Sequence, residues 1–406
     1  MTTPLPSPLR SPAFRRFFAG RLVSLLGSAM APVALAFAVL DAAPGITDLG
    51  IVLATRTVPM LAFLLLGGAA ADRFSRRTVL LVAHLGSGLT QGAFAVLLLT
   101  HHYTLLSASA LALLNGVLAA FTSPALRGVV PQLVDREQLR QANALLGSLA
   151  NAAKILGPSA AGLLVAASNG GVAVAADAAS YLLAAVFLAR LPIAGTAERP
   201  KSRLLAELRS GWAEFTRQGW VWRVTTAFFL MNLVQTGTWQ ILGPQLTREV
   251  SSTAGWGLLL SVRGAGMLLA SALAYRLAVR HLLRTGVAVS VLGALPLLAL
   301  GAGLSLPALL AAAFAGGCGS GLAAVSWDTS LQEHVPGEAL SRVSSYDDLL
   351  SYLAIPVGQL SVGPLAAAIG GRELATVTAL LYAVAALSPL VFTSVRTLPH
   401  AAARTA

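Results

Sequence analysis

The 406-residue chain is 56% hydrophobic and only 11% charged, with a mean hydropathy of +0.75. Soluble domains carry about 25% charged residues, and a single soluble core could not hide this much apolar surface. The net charge of +12 resides in arginines clustered at the ends of apolar runs, which reads as a topology signal and not as a nucleic-acid patch.

Apolar runs of about twenty residues, the length a helix needs to cross a bilayer, recur throughout. Turn residues and charges delimit them at 17–40, 48–70, 78–100, 105–130, 139–168 and 171–190, and then at 221–246, 254–276, 282–302, 306–331, 340–369 and 373–394. The chain therefore reads as an all-α membrane protein with twelve spans. The basic N-terminus precedes an apolar run like a signal peptide, but that run is too long and lacks a cleavage site, so it is taken as an uncleaved first span. With both termini cytoplasmic, 20 of the 28 Lys and Arg residues fall inside and 2 outside, the orientation the positive-inside rule favours. The lone Cys318 excludes an intramolecular disulfide. Arginine outnumbers lysine 26 to 2 and alanine is abundant, which looks like a GC-rich bacterial genome, so the membrane is taken to be the bacterial inner (plasma) membrane.

The polar gap at 191–219 divides the chain into residues 1–190, a connecting segment, and residues 220–406. Within it Leu204, Leu208, Trp212 and Phe215 recur at helical spacing, which predicts an amphipathic helix on the inner membrane surface; a solvated linker is the alternative. The two six-span halves also carry traces of duplication. Val134, Glu137 and Leu139 match Val335, Glu338 and Leu340 at an offset of 201, and "GPSAAG" from Gly157 resembles "GPLAAA" from Gly363 at 206. "GAAADRFSRR" from Gly68 aligns with "SALAYRLAVR" from Ser271 at 203, with Arg73 and Arg77 kept and Asp72 replaced by Tyr275. Both copies fall on the cytoplasmic side, so the halves form a parallel repeat.

Residues 68–80 resemble motif A of the major facilitator superfamily, retaining Gly68, Asp72, Arg73, Arg76 and Leu80, with Ser75 in place of the second glycine and Arg77 in place of lysine. Gly157 and Pro158 lie in a stretch similar to the antiporter signature of span 5, with two of its glycines reduced to alanine. The stretches from Asn143 and Glu333 further resemble the bacterial drug-efflux branch that includes macrolide and enterobactin exporters. The resemblance implies two six-helix bundles, alternating access and a cytoplasmic gate. In that gate Asp72 would face the N-terminus of span 11, where orphan backbone N–H groups favour a carboxylate. Arg73, Arg76 and Arg77 would hold the loop to acidic groups and lipid phosphates. The acid that completes this motif in many relatives has no clear match here: Gln132 occupies its position and Asp135 is the nearest carboxylate. A basic loop that only sets topology is the alternative, but it leaves Asp72 unexplained.

Ionisable groups inside the bilayer are functional candidates by default. For proton coupling a carboxylate in a dry site suits, because desolvation favours its neutral form; Asp177, Asp347 and Asp348 are the candidates, with Lys154 beside the span 5 motif. Asp41 and Arg56 could pair at the outer face, as a gate or as a structural ion pair. Spans 1, 4, 7 and 10 line the cavity in relatives, so Asn115, Asn232, Gln235, Trp239 and Trp327 are candidates for a mixed apolar and polar substrate pocket; interhelical hydrogen bonding is the competing role for each. His101 and His102 lack further ligands, so no metal is expected, and no nucleophile–base pair or nucleotide motif suggests an enzyme. The expected function is a secondary transporter, an exporter of small amphipathic organic compounds driven by the proton gradient without a cofactor, working in the lipid bilayer as a monomer. Uptake or lipid flipping on the same fold is the alternative, and a transport-inactive sensor or scaffold is a more distant one.

Overall fold

The computed structural model describes residues 8–43, 45–73, 75–127, 129–135, 138–191, 204–274 and 279–400. Among these residues eleven helices are long and apolar enough to cross a membrane. Contacts divide the chain into two compact units, Met1–Pro200 and Lys201–Ala406.

The first unit contains α1 (Pro12–Ala42), α2 (Ile46–Arg73), α3 (Arg76–Leu99), α4 (Leu105–Arg127), the single turn α5 (Val130–Leu133), α6 (Leu139–Ala167) and α7 (Gly170–Ala189). Local chemistry sets several of the helix starts. Ser11 caps α1 by accepting from the Phe14 N–H at 3.4 Å, with Pro12 in the first turn, where a missing N–H costs nothing. Asn169 caps α7 through Val172 N at 3.0 Å. Ser75, the residue that departs from the family glycine, caps α3 by accepting from Thr78 N at 3.1 Å. Here the departure supplies an N-cap.

The second unit begins with α8 (Leu204–Arg217) and α9 (Gly219–Gly237). A π-helical turn over Thr238–Leu242 joins α9 to α10 (Gly243–Val250). The predicted span 221–246 is therefore interrupted, and it is not among the eleven. Then follow α11 (Thr253–Ala274), α12 (Leu282–Ser290) and α13 (Leu295–Gly301) joined by a 3₁₀ turn, α14 (Leu306–His334), α15 (Gly337–Ile369), α16 (Gly371–Leu387) and the short α17 (Thr393–Arg396). Gly370 adopts φ +95° between α15 and α16, a backbone state that side chains other than glycine rarely reach.

Helix pairing repeats between the units. In the first, α2 packs along α4, α1 along α6 and α7, and α3 along α4 and α7. In the second, α11 packs along α14, α9 along α15 and α16, α12 along α14, and α13 along α16. Small residues allow these close approaches. A methyl at Gly116 on α4 would run into the carbonyl oxygen of Arg56 on α2, and one at Gly317 on α14 would run into that of Arg263 on α11. The same backbone contact thus recurs at equivalent positions, a duplication visible in geometry.

α8 forms a helix over the segment where the sequence places one. The Phe215 ring is buried, Trp212 is exposed, and the two stack at 5.7 Å with Tyr346 of α15 against both. The side chains of Leu204 and Leu208 lie outside the described residues.

Candidate functional site

In the second unit, an apolar helix face brings polar groups together around one carboxylate. Asp347 on α15 is 6% exposed. Its Oδ1 accepts from Thr225 Oγ1 of α9 at 2.7 Å and from Ser351 Oγ at 3.5 Å, and its Oδ2 accepts from Trp327 Nε1 of α14 at 2.8 Å. Three helices are thereby tied to one acid, and the donors satisfy much of what burial would otherwise leave unpaired. Asp347 forms part of the wall of a cavity of about 370 Å³, together with Asp328, Asp348, Asn232 and Gln235 and the rings of Phe228, Trp327, Tyr352 and Tyr382. Asn232 Nδ2 donates to the Ser351 carbonyl at 3.0 Å, whereas Gln235 Nε2 is buried without a partner. No Lys, Arg or His is among the described residues walling this cavity.

Trp239, placed by sequence in the same pocket, instead packs on Trp256, with ring centroids 4.9 Å apart and the planes tilted by 55°, and the Arg263 guanidinium lies 4.9 Å from its ring centroid. It lies within the π-helical turn over Thr238–Leu242, and it is not among the residues that wall the cavity. Asn115 is buried in the first unit and donates to Thr90 Oγ1 at 3.2 Å. That bond ties α4 to α3, the interhelical role named as its alternative.

The first unit holds a different assembly. Asp177 on α7 is 1% exposed. Its Oδ2 accepts from Gln91 Nε2 of α3 at 2.9 Å, and its Oδ1 has no hydrogen-bond partner. Arg56 on α2 is within electrostatic reach of both Asp177 and Tyr181. Tyr181 accepts from Ser28 Oγ at 3.3 Å, and the His84 ring lies 5.8 Å from it, edge-on. Gln91, His84, Tyr181 and Thr225 were not singled out in the sequence. Each is a polar residue inside an apolar run, the signal that marked the aspartates, and would have been found by extending that criterion to neutral groups.

Other candidates are placed as follows. Lys154 is exposed on α6. Gly157 and Pro158 are buried, and a methyl at Gly157 would meet Ala29 of α1, so this motif glycine serves close packing. Asp41 is exposed at the end of α1. Arg77 donates to the carbonyl of Ala189 at the C-terminus of α7, where a cation completes orphan carbonyls. The side chains of Asp72 and Arg73 lie outside the described residues, as do Tyr275 and Arg276 in the second copy of the motif. Among the described residues no group of His, Cys, Asp or Glu could hold a metal ion.

Comparison with known proteins places these geometries. The chain is 28% identical over 384 residues to the multidrug efflux pump Tap of Mycolicibacterium fortuitum, covering 89% of this chain and 90% of that one. It is 31% identical over 204 residues to the enterobactin exporter EntS of Salmonella typhimurium, 49% of each. Among solved structures, the nucleoside transporter NupG superposes with a TM-score of 0.78 at 11% identity, covering 94% of this chain and 98% of that one. A bacterial homologue of the iron transporter ferroportin superposes at 0.74 with 15% identity, covering 96% and 99%. Both show the fold. With many apolar helices and bacterial relatives, the chain is a multi-pass protein of the bacterial inner membrane. Residues 17–359 match the Major Facilitator Superfamily, and the chain belongs to that family.

Proposed function

We propose that this protein is a proton-coupled exporter of small amphipathic organic compounds, built from twelve spans with both termini cytoplasmic and working by alternating access. The observation that carries the reading is the 370 Å³ cavity of the second unit, where Asp328, Asp347 and Asp348 share the wall with four aromatic rings. Aromatic faces and carboxylates together attract an organic cation, and the apolar remainder suits an amphipathic body. The direction of transport is drawn from the relatives, named as an efflux pump and an exporter. Span seven is supplied by α9 and α10 on either side of the π-helical turn. Asp72 is proposed as the cytoplasmic gate of this cycle.

The test is an accumulation panel in cells with and without the gene, using cationic and anionic compounds of matched size, with and without a protonophore. The expected result is lower accumulation of the cations when the gene is present, abolished by the protonophore. Equal accumulation of every compound overturns the exporter reading; export that survives gradient collapse overturns proton coupling.

A further inference from the structure

The duplicated packing exposes a position where the two units differ in chemistry. Arg56 and Arg263 occupy the same place against Gly116 and Gly317. Each arginine also acts electrostatically on the last long helix of its unit: Arg56 on Asp177 of α7, Arg263 on Tyr382 of α16. The two partners are 205 residues apart, within the spread of offsets of the sequence repeat. The third helix completes the match, since Gln91 on α3 donates to Asp177, while Gly293 in the turn between α12 and α13 lies against the Tyr382 hydroxyl. One slot is therefore built twice, with a carboxylate in the first unit and a phenol in the second.

We infer that Asp177 is the proton-binding site of the transport cycle, and that its counterpart in the second unit has been converted into part of the substrate cavity. The inference rests on the transport reading above and assigns its coupling residue. A carboxylate beside an arginine has two charge states at accessible pH. A phenol, with an ordinary pKa of about 10, has one, so the Tyr382 slot keeps its charge throughout the cycle. Tyr382 walls the 370 Å³ cavity; Asp177 belongs to the other unit.

The geometry at Asp177 suits reversible protonation. Oδ2 is held by Gln91, and Oδ1 carries the lone pairs that no donor occupies. Oδ1 faces α1 at Gly27, where a methyl would come within 3.0 Å of it. Protonation adds one H⁺ to this oxygen and turns the carboxylate into a neutral acid. Arg56 then loses its counter-charge, so the attraction between α2 and α7 weakens; loss of the proton restores it. Arg56 from α2 acts on Asp177 and on Tyr181 of α7 itself, and beyond them Arg21 from α1 acts on Tyr181 and on His84 of α3. The only described ionisable side chain of α6, Lys154, is exposed. Among these groups Asp177 is the one carboxylate, and Arg56 is the cation that acts on it directly.

The test has a spectroscopic arm and a transport arm. Infrared difference spectra of the purified protein across a pH titration should contain a carboxylic-acid C=O band that is missing in Asp177→Asn and kept in Asp347→Asn. In inverted membrane vesicles, with ethidium as a fluorescent cationic probe, Asp177→Asn should lose gradient-driven accumulation while retaining ethidium binding and ethidium–ethidium exchange. Asp177→Glu should recover driven transport with a displaced pH profile, which a packing role alone would not produce. An unchanged infrared band, or driven transport by Asp177→Asn at the wild-type rate, overturns the assignment. If Asp177→Asn fails to fold, the glutamate variant decides: a pH profile identical to wild type overturns it. A wild type that ignores the gradient refutes coupling and this site together, whereas failure of ethidium alone refutes only the cation preference and leaves the infrared arm to decide.

Discussion

The arginine of the first unit shares its surroundings with a carboxylate; the arginine of the second does not have one there. Arg56 acts on Asp177, and Arg263 lies over the Trp239 ring near the Tyr382 hydroxyl, its Nε buried without a hydrogen-bond partner. In both units a glycine meets the arginine's carbonyl oxygen. Duplication has therefore preserved packing while charge has diverged. The first copy can change its charge and the second is a fixed cation faced by aromatic rings, a contact worth about 2 kcal/mol when desolvated.

The strongest way to break this comparison is to remove each arginine. Arg56→Gln removes the cation that acts electrostatically on the buried Asp177 and should lower unfolding stability by about 1–3 kcal/mol, the cost of leaving a buried polar group less well satisfied. Arg263→Gln strands no acid in its slot and should cost less than half as much. Thermal unfolding of both variants in detergent measures the difference, and equal losses would mean that Asp177 does not depend on Arg56. Restoring stability by adding Asp177→Asn to the Arg56 variant would sharpen the conclusion.

A symmetric effect is expected from the glycines. Gly116→Ala and Gly317→Ala each drive a methyl against backbone, which must shift at a cost of about 1–3 kcal/mol. Both should fall by similar amounts in the same unfolding assay. A large disparity would show that the shared contact is not equally tight in the two units.

The smallest effect should come at the motif itself. Ser75→Ala removes the cap of α3 and should cost about 1 kcal/mol, whereas Ser75→Gly, the family residue, should cost only a few tenths. Equal stability of Ser75→Ala and wild type would mean the hydroxyl contributes nothing to α3.

Much of the helix layout was legible because the bilayer makes each span carry its own signal. Run length and positional arginines are local, so α3 and α7 start within two residues of the expected 78 and 171. By contrast, α1 starts at Pro12, five residues before the expected 17, because Ser11 and Pro12 begin the helix ahead of the apolar run. The interrupted seventh span was not legible: the π-helical turn puts no charge or proline into 238–242, and Trp239 within it packs on Trp256 and not on the cavity. The site shows the same division. Asp177 and Asp347 stood out as acids inside apolar runs, since burial of a charge is costly enough to demand a reason. Their partners did not. By sequence Arg56 could pair with Asp41 across a short hairpin; the structure places it within electrostatic reach of Asp177, far along the chain. Thr225 and Trp327 reach Asp347 from helices 122 and 20 residues away in sequence.

The sequence by itself determined that the chain is a membrane protein of repeated helices, that it resembles the major facilitator superfamily, and which few charges sit in apolar surroundings. These properties depend on composition, period and local spacing, and each residue contributes to them independently of distant neighbours. Only the tertiary structure decided which charges face one another, which polar residues serve a carboxylate, and which copy of a duplicated slot keeps an acid. Those outcomes depend on how helix faces are rotated and how closely glycines let them approach, and that geometry is fixed by packing between segments far apart in the chain.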